Sequence, residues 1–456
     1  MRDRMAAALR ESGADYAEIR IERAEGTELG FRGAEMDRVS ASSSLGGVAR
    51  ALLRGGWGGV TFNDLGDLRS RVQEAVACAR LVGREQTEFA EAERVEEVVP
   101  PPPMERDFRG VALAEKRRVA QAYNDLMLGF GPKVQTTHVS YRDLYRQVYF
   151  ANSEGSYYEE TRPDVVLALG AVARDGNLVE SGFESMGRAA GFEVVEGLEA
   201  KAERAARRAV DLLSAPPVQG GTYTVILNQK LGGVFAHEAF GHLSESDFLY
   251  ENEKMRELMV LGKRFGSEAL NIVDDGSLPG GRGTHPFDDE GVRTRRNHLI
   301  KEGVLVGRLH SRETAGKMKE AVTGNARAVG WRFPPIVRMT NTYVEPGEAS
   351  FEDLIRDVKL GLYALDMVGG QTMMEMFTFS AACGYMIRDG QVAELVRDVV
   401  LTGNVFETLE NIDMIGNDLA WADGGGGCGK GGQMPLPVGL GSPHLRIQRV
   451  VVGGKQ

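Results

Sequence analysis

Two of the chain's seven histidines, His237 and His242, flank a carboxylate, Glu238, in the run Leu-Gly-Gly-Val-Phe-Ala-His-Glu-Ala-Phe-Gly-His-Leu-Ser-Glu-Ser-Asp over residues 231–247. Imidazole nitrogens are ready ligands for zinc, and a Glu beside them can take the proton of a water that the metal activates. These residue types point to hydrolysis at a metal ion. Their spacing is less familiar. In the common H-E-x-x-H helix the histidines stand at i and i+4, close to one face. Here the pattern is H-E-x-x-x-H, and an i, i+5 pair on a regular α-helix points about 140° apart. Either a π-bulge adds a residue to the turn or the helix stops before His242. Gly241, with no Cβ, permits both.

Two histidines do not complete such a site, because a catalytic zinc usually has three protein ligands and an open fourth position. Candidates for the third are Glu245, Asp247, His285, Asp288, Asp289 and, far downstream, Cys428 in the run Asp423-Gly-Gly-Gly-Gly-Cys-Gly-Lys-Gly-Gly-Gln433. Thiolate is a strong zinc ligand, and flanking glycines would let the backbone carry it close to an ion. Spacing alone does not choose among them.

The elements that must position these groups can be traced by periodicity. Residues 1–12 fit a helix, and Tyr16–Glu22 alternates apolar and charged side chains as a half-buried strand does. Short strands follow at 28–32, 46–53 and 57–62, then a helix over 65–82 that carries Cys78 on its core side. The acidic stretch 85–97 runs into Pro100-Pro-Pro-Pro103, the clearest linker in the chain. A helix over 113–128, strands over 134–150 and 156–172, and a helix over 192–213 follow. After Pro216-Pro217 a strand over 223–228 leads into the helix that bears His237. Beyond it the pattern is mostly β, with hairpins turning at Glu302-Gly303 and Asp389-Gly390. This gives an α+β, multi-domain chain: 1–92 and 104–214 of mixed α and β, and 221–456 a β-rich domain holding the candidate metal residues.

Composition bounds the rest. At 456 residues, with 42% hydrophobic and 26% charged, the chain has the makeup of a soluble globular protein of two or three domains. A formal charge of −11 argues against a nucleic-acid surface. No apolar run approaches the roughly 20 residues that span a bilayer, and the charged N-terminus has no signal-peptide core. Three scattered cysteines, Cys78, Cys383 and Cys428, form no disulfide framework and suit a reducing compartment. The expectation is a cytoplasmic protein that binds neither membrane nor nucleic acid.

The ordered blocks His237-Glu-Ala-Phe-Gly-His242, Phe287-Asp-Asp-Glu-Gly291, Thr323-Gly-Asn-Ala-Arg327, Met339-Thr-Asn-Thr-Tyr343, Gly369-Gly-Gln371, Met414-Ile-Gly-Asn-Asp418 and Cys428-Gly-Lys-Gly-Gly-Gln433 resemble the TldD/PmbA family of zinc metallopeptidases, in its zinc-competent, TldD-like branch. The resemblance implies Cys428 as third ligand of one Zn²⁺ per chain, beside His237 and His242, with Glu238 as general base. It implies peptide substrates that are small, unfolded or leader-bearing, cut inside an enclosed cavity, and a homodimer or a heterodimer with a zinc-less paralogue. Gly431 departs from the acidic residue common in the family at that place. Glu245, Asp247 and Asp288 are the candidates to orient the imidazoles. An extended substrate would add to a sheet edge; the segment 339–343 is either that edge or plain core.

Other readings are weaker. Gly424–Lys430 fits G-x-x-x-x-G-K, but Gly431 stands where Ser or Thr would hold Mg²⁺, and Pro435 and Pro437 forbid the helix that should follow. The remaining alternative is a non-catalytic peptide-binding or regulatory subunit with a structural zinc, against which the intact Glu238 counts.

Overall fold

In the computed structural model, which describes residues 1–85, 87–373 and 375–453, the chain is α+β. Its N-terminal half is built on one seven-stranded sheet. The strands run Gly56–Phe62, Glu35–Leu53, Tyr16–Arg32, Val134–Asn152, Tyr157–Asp175 and Glu96–Val98 across the sheet, with Leu178–Arg188 paired to Tyr157–Asp175. Tyr16–Arg32 is one 17-residue strand where two short ones were expected, because both of its edges are held: antiparallel to Glu35–Leu53 over its length and to Val134–Asn152 from Glu18 onward. The sheet therefore runs on from the 1–92 segment into the 104–214 segment. The stretch expected as a linker contributes Glu96–Val98, parallel to Tyr157–Glu159. Val95 is buried there with Val148, Phe150, Tyr158 and Phe287.

Four helices cover this sheet. Arg2–Leu9 and Leu68–Val82 share a core with Ile19, Ile21 and Ala49, while Leu113–Leu128 and Glu199–Leu212 share another with Tyr141, Val165 and Leu167. Leu68–Val82 buries Leu68, Val72, Ala75, Val76 and Ala79 at helical spacing. Cys78, expected in that core, is instead exposed; it lies one position beside the buried stripe, where 100° per residue turns it outward.

The C-terminal half holds a second seven-stranded sheet, ordered Leu360–Met373, Gly221–Leu227, Leu445–Gly453, Val400–Asn404, Met376–Arg388 and Gln391–Val396, with Ile412–Ile415 paired to Leu445–Gly453. Leu360–Met373 also pairs with Met376–Arg388, which closes the first five strands into a circuit. A six-stranded sheet beside it runs Val304–Leu305, Arg296–Lys301, Ile272–Asp275, Asn341–Val344, Gly439–Ser442 and Ala420–Trp421. The helix Gln229–Phe235 is wedged between them. Asn228 caps it by accepting from the Leu231 N–H at 3.0 Å. Phe235 packs on Phe377 and Phe379, and on the opposite side Gly233 approaches the strand Gly439–Ser442 so closely that a Cβ would sit 2.9 Å from the Gly441 nitrogen. The segment 339–343 is core and not an edge: Met339 is fully buried, and Asn341–Val344 is hydrogen-bonded to a strand on either side. Among the described residues no helix is long and apolar enough to cross a membrane.

A buried ion pair ties the first helix–sheet layer together. Lys116 on Leu113–Leu128 donates to Asp143 at 2.6 Å, both side chains under 5% exposed, and to Thr27 Oγ1 at 3.2 Å on the neighbouring strand. Removing one partner of such a pair leaves an uncompensated buried charge. Lys116→Met is expected to destabilise the protein by about 3 kcal/mol, seen as a fall in the first thermal unfolding midpoint by differential scanning fluorimetry.

Candidate metal centre

The helix Gln229–Phe235 passes directly into a π-helical segment, Ala236–Gly241, and then a single 3₁₀ turn, His242–Ser244. Of the two ways to bring an i, i+5 pair together, the chain uses the wider turn. The extra residue swings His242 back toward His237, and their rings lie 5.1 Å apart at 80°. Gly241 is required at the bend, because a Cβ there would meet Met339 Sδ at 2.1 Å.

Cys428 reaches the same point from the far end of the chain. It opens the short strand Cys428–Lys430, paired with Gln433–Leu436. Its thiol lies 3.3 Å from His242 Nε2, and one donor atom each from His237, His242 and Cys428 falls within 4.8 Å of the others. The backbone around Cys428 is held by cations. Arg338, fully buried, donates to the Cys428 carbonyl at 2.7 Å and to the Gln433 carbonyl at 3.2 Å. Arg282 donates to the carbonyls of Gly424 and Gly426 in the glycine run before it. Lys430 reaches Glu245 at 3.0 Å, Asp247 at 2.6 Å and the Val337 carbonyl at 2.9 Å.

The electrostatics of the cluster favour a cation at its centre. Burial works against charge on both Cys428 and His242, yet the imidazoles of His237 and His242 hold the Cys428 thiol down at about 4. Glu245 and the Cys428 sulfur hold His242 up at about 11. Glu245 is itself buried, and its carboxyl is kept low by His242 and Lys430. A proton on His242 thus stands where a metal ion would bring its charge, and binding an ion would displace it. His237, 2% exposed, has a buried Nδ1 without a hydrogen-bond partner among the described residues. Two nitrogens and a thiolate are a donor set suited to zinc, so the residues present fit that ion.

The sequence candidates separate clearly. Glu245 accepts from His242 Nδ1 at 2.8 Å, which turns Nε2 toward Cys428. Asp247 touches neither imidazole; it takes Lys430 and the Val337 N–H. Asp288, expected to orient an imidazole, instead accepts from the backbone N–H groups of Glu290, Val292 and Ala326 and so fixes a loop. Asp289 pairs with Arg20 and Arg162, and His285 with Glu160. Sequence reasoning missed Lys430 and Arg338. The first had a visible signal, a Lys two residues past the cysteine; the second is a charge inside the apolar run Val337-Arg-Met339.

Glu238 is about 30% exposed and its carboxylate lies 3.9 Å from His242 Nε2. With His237 and Cys428 it lines a cavity of about 660 Å³, within the usual range for ligand sites. It is also lined by Phe183 and Glu184 of the N-terminal half and by Met367 and Val368 of the strand Leu360–Met373.

Comparison with known proteins decides the family. The PmbA/TldA metallopeptidase C-terminal domain matches residues 220–454, the central domain 106–213 and the first domain 17–79. This chain belongs to the TldD/PmbA metallopeptidase family. A metalloprotease of Synechocystis sp. is 48% identical over 97% of this chain and 96% of its own length. A zinc metalloprotease TldD homolog of Saccharolobus solfataricus is 31% identical over 71% of this chain and 74% of its own. Among solved structures, the fold is shared with TldE from Thermococcus kodakarensis at TM-score 0.78 and 18% identity, covering 99% of this chain and 100% of that one. A Thermotoga maritima protein described as a candidate modulator of a DNA gyrase matches at TM-score 0.81 and 23% identity, over 99% of each chain.

Two outcomes follow from this geometry. Gly241→Ala overpacks against Met339 and is expected to cost about 1–3 kcal/mol of stability, read as a lowered midpoint in thermal melts. In metal-free protein Cys428, with its thiol lowered to about 4, is thiolate throughout pH 6–8. Its alkylation by iodoacetamide, followed by peptide mass mapping, is expected to be flat across that range. Cys383, whose thiol burial pushes up to about 11, stays unlabelled.

Proposed function

We propose that this chain is a zinc-dependent peptidase that hydrolyses small, unfolded or leader-bearing peptides inside the 660 Å³ cavity. The observation that carries the reading is Glu238, a carboxylate on the cavity wall directly beside the His237, His242 and Cys428 cluster. A structural zinc is enclosed by four ligands and needs no base. Here three donor side chains meet beside an open cavity, with a titratable group next to them.

His237, His242 and Cys428 would hold one Zn²⁺, which when bound supplies Lewis acidity toward water and the peptide carbonyl. Glu238 takes the proton from the attacking water and returns it to the leaving amine. Glu245 holds His242 in the tautomer that presents Nε2 to the cluster, and Lys430 holds Glu245 in place. A cavity of this size admits an extended chain but not a folded domain. Three free cysteines suit a reducing, cytoplasmic setting. For partners we infer a second copy of this chain or a zinc-less paralogue.

The test is Glu238→Gln beside the wild type, both purified without chelator. Both are expected to bind about one zinc per chain by atomic absorption, while cleavage of an unfolded peptide library falls by about 10²–10⁴-fold in the variant. Zinc bound with no cleavage by the wild type, alone or with a paralogue added, would favour the non-catalytic peptide-binding reading.

A further inference from the structure

A second cavity, about 210 Å³, lies away from the cluster, between the proline segment at Val99–Pro102, the strand Tyr157–Asp175 and the loop carrying His285. Its walls carry four arginines, Arg146, Arg162, Arg282 and Arg327, against two carboxylates, Glu160 and Asp164. Both acids are already engaged. Asp164 takes Arg282 through both oxygens at 2.9 and 3.1 Å. Glu160 takes Arg162 at 2.9 Å and His285 Nδ1 at 3.1 Å.

Arg327 and Arg146 are left over. Arg327 is 3% exposed, and among the described residues it forms no ion pair with a carboxylate. It donates to the Met339 and Pro437 carbonyls and to His285 Nε2 at 3.2 Å. The nearby acids are committed elsewhere: Asp289 to Arg20, Arg162 and the Ala328 N–H, and Asp274 to Thr340, Thr342 and Asn325. Arg146 donates to the Val329 carbonyl at 3.0 Å, and among the described residues it comes no nearer to a carboxylate than 3.8 Å, at Glu22, which also pairs with Arg20. His285 adds no charge, since burial and Arg162 push it down to about 4. Burial and Arg162 also lower Arg327, to about 10, as expected of a cation short of counter-charge.

A buried cation without a counter-charge is costly, and guanidinium groups bind carboxylates and other oxyanions with strong, directed hydrogen bonds. We propose that this cavity is a binding site for a small carboxylate, held by Arg146 and Arg327, with the apolar body of the ligand against Pro100, Pro102 and Leu436. The inference stands independently of the peptidase reading. Its place gives it reach toward the cluster, because Leu436 and Pro437 border this cavity and Val438 borders the larger one. Arg282 likewise has one end on Asp164 and the other on the glycine run before Cys428.

The full-length protein would be titrated at constant ionic strength with sodium acetate, N-acetylglycine and inorganic phosphate, following the thermal midpoint. Wild type and Glu238→Gln are expected to show a saturable rise with acetate and a stronger one with N-acetylglycine. In Arg146→Gln, whose side chain loses the Val329 carbonyl and the long contact to Glu22, the apparent affinity falls about 10-fold, the loss of one charge-assisted hydrogen bond. Arg327→Gln, checked for native circular dichroism, shows no rise. A saturable response to phosphate but to neither carboxylate overturns the carboxylate assignment. No saturable response to any of the three, or one of equal strength in wild type and Arg146→Gln, overturns the site.

Discussion

Two imidazoles five residues apart can serve one ion only if the turn between them is wider than an α-helix allows, and the surroundings of the cluster are fitted to that one departure. The π-helical segment Ala236–Gly241 supplies the width. It is held on the N-terminal side by a capped helix packed on Phe377, and on the other by Met339 filling the space above Gly241. Bulges of this type are rare and concentrate at functional positions, since their poorer backbone hydrogen bonding persists only where packing enforces it.

Charge is managed by the same economy of positions. Cys428 and Glu245 are buried acids held low by the cations and imidazoles around them, and the cations nearby also fix backbone. Arg338 spans the two carbonyls of the hairpin that presents the thiol, and Lys430 joins Glu245 and Asp247 to the Val337 carbonyl. A cysteine in a glycine run has wide conformational freedom in isolation. Here its direction is set by cations that the glycines themselves could not supply.

Much of the site was legible in the sequence because it depends on local chemistry. His237, Glu238 and His242 share one segment, and the conflict between their spacing and helical geometry itself pointed to a bulge or a break. Glu245 follows His242 by three residues, within reach on the following turn. What could not be read was long-range. Spacing offered six candidates for the third donor, and only the family resemblance singled out Cys428. Asp288 was an acid near the right place in sequence, but its loop needed three N–H groups satisfied, and that demand governs its direction. The fold shows the same limit. Helices such as Leu113–Leu128 follow from their apolar stripe, whereas the single sheet joining residues 16–62 to 134–188 rests on pairings that no local pattern specifies.

That shared sheet, together with the 186 residues separating His242 from Cys428, governs the order in which the molecule can be made. Ribosomes extend a chain at about 5–20 residues per second. The strand Tyr16–Arg32 has one open edge until Val134–Asn152 emerges, and Gly221–Leu227 waits for Leu445–Gly453 to close its circuit. The imidazole pair is synthesised roughly 10–40 s before its thiolate. Such distant pairings are slow to form, so nascent copies expose bare strand edges that invite aggregation. Assembly of the cluster is among the last events of biogenesis, after the chain has left the ribosome.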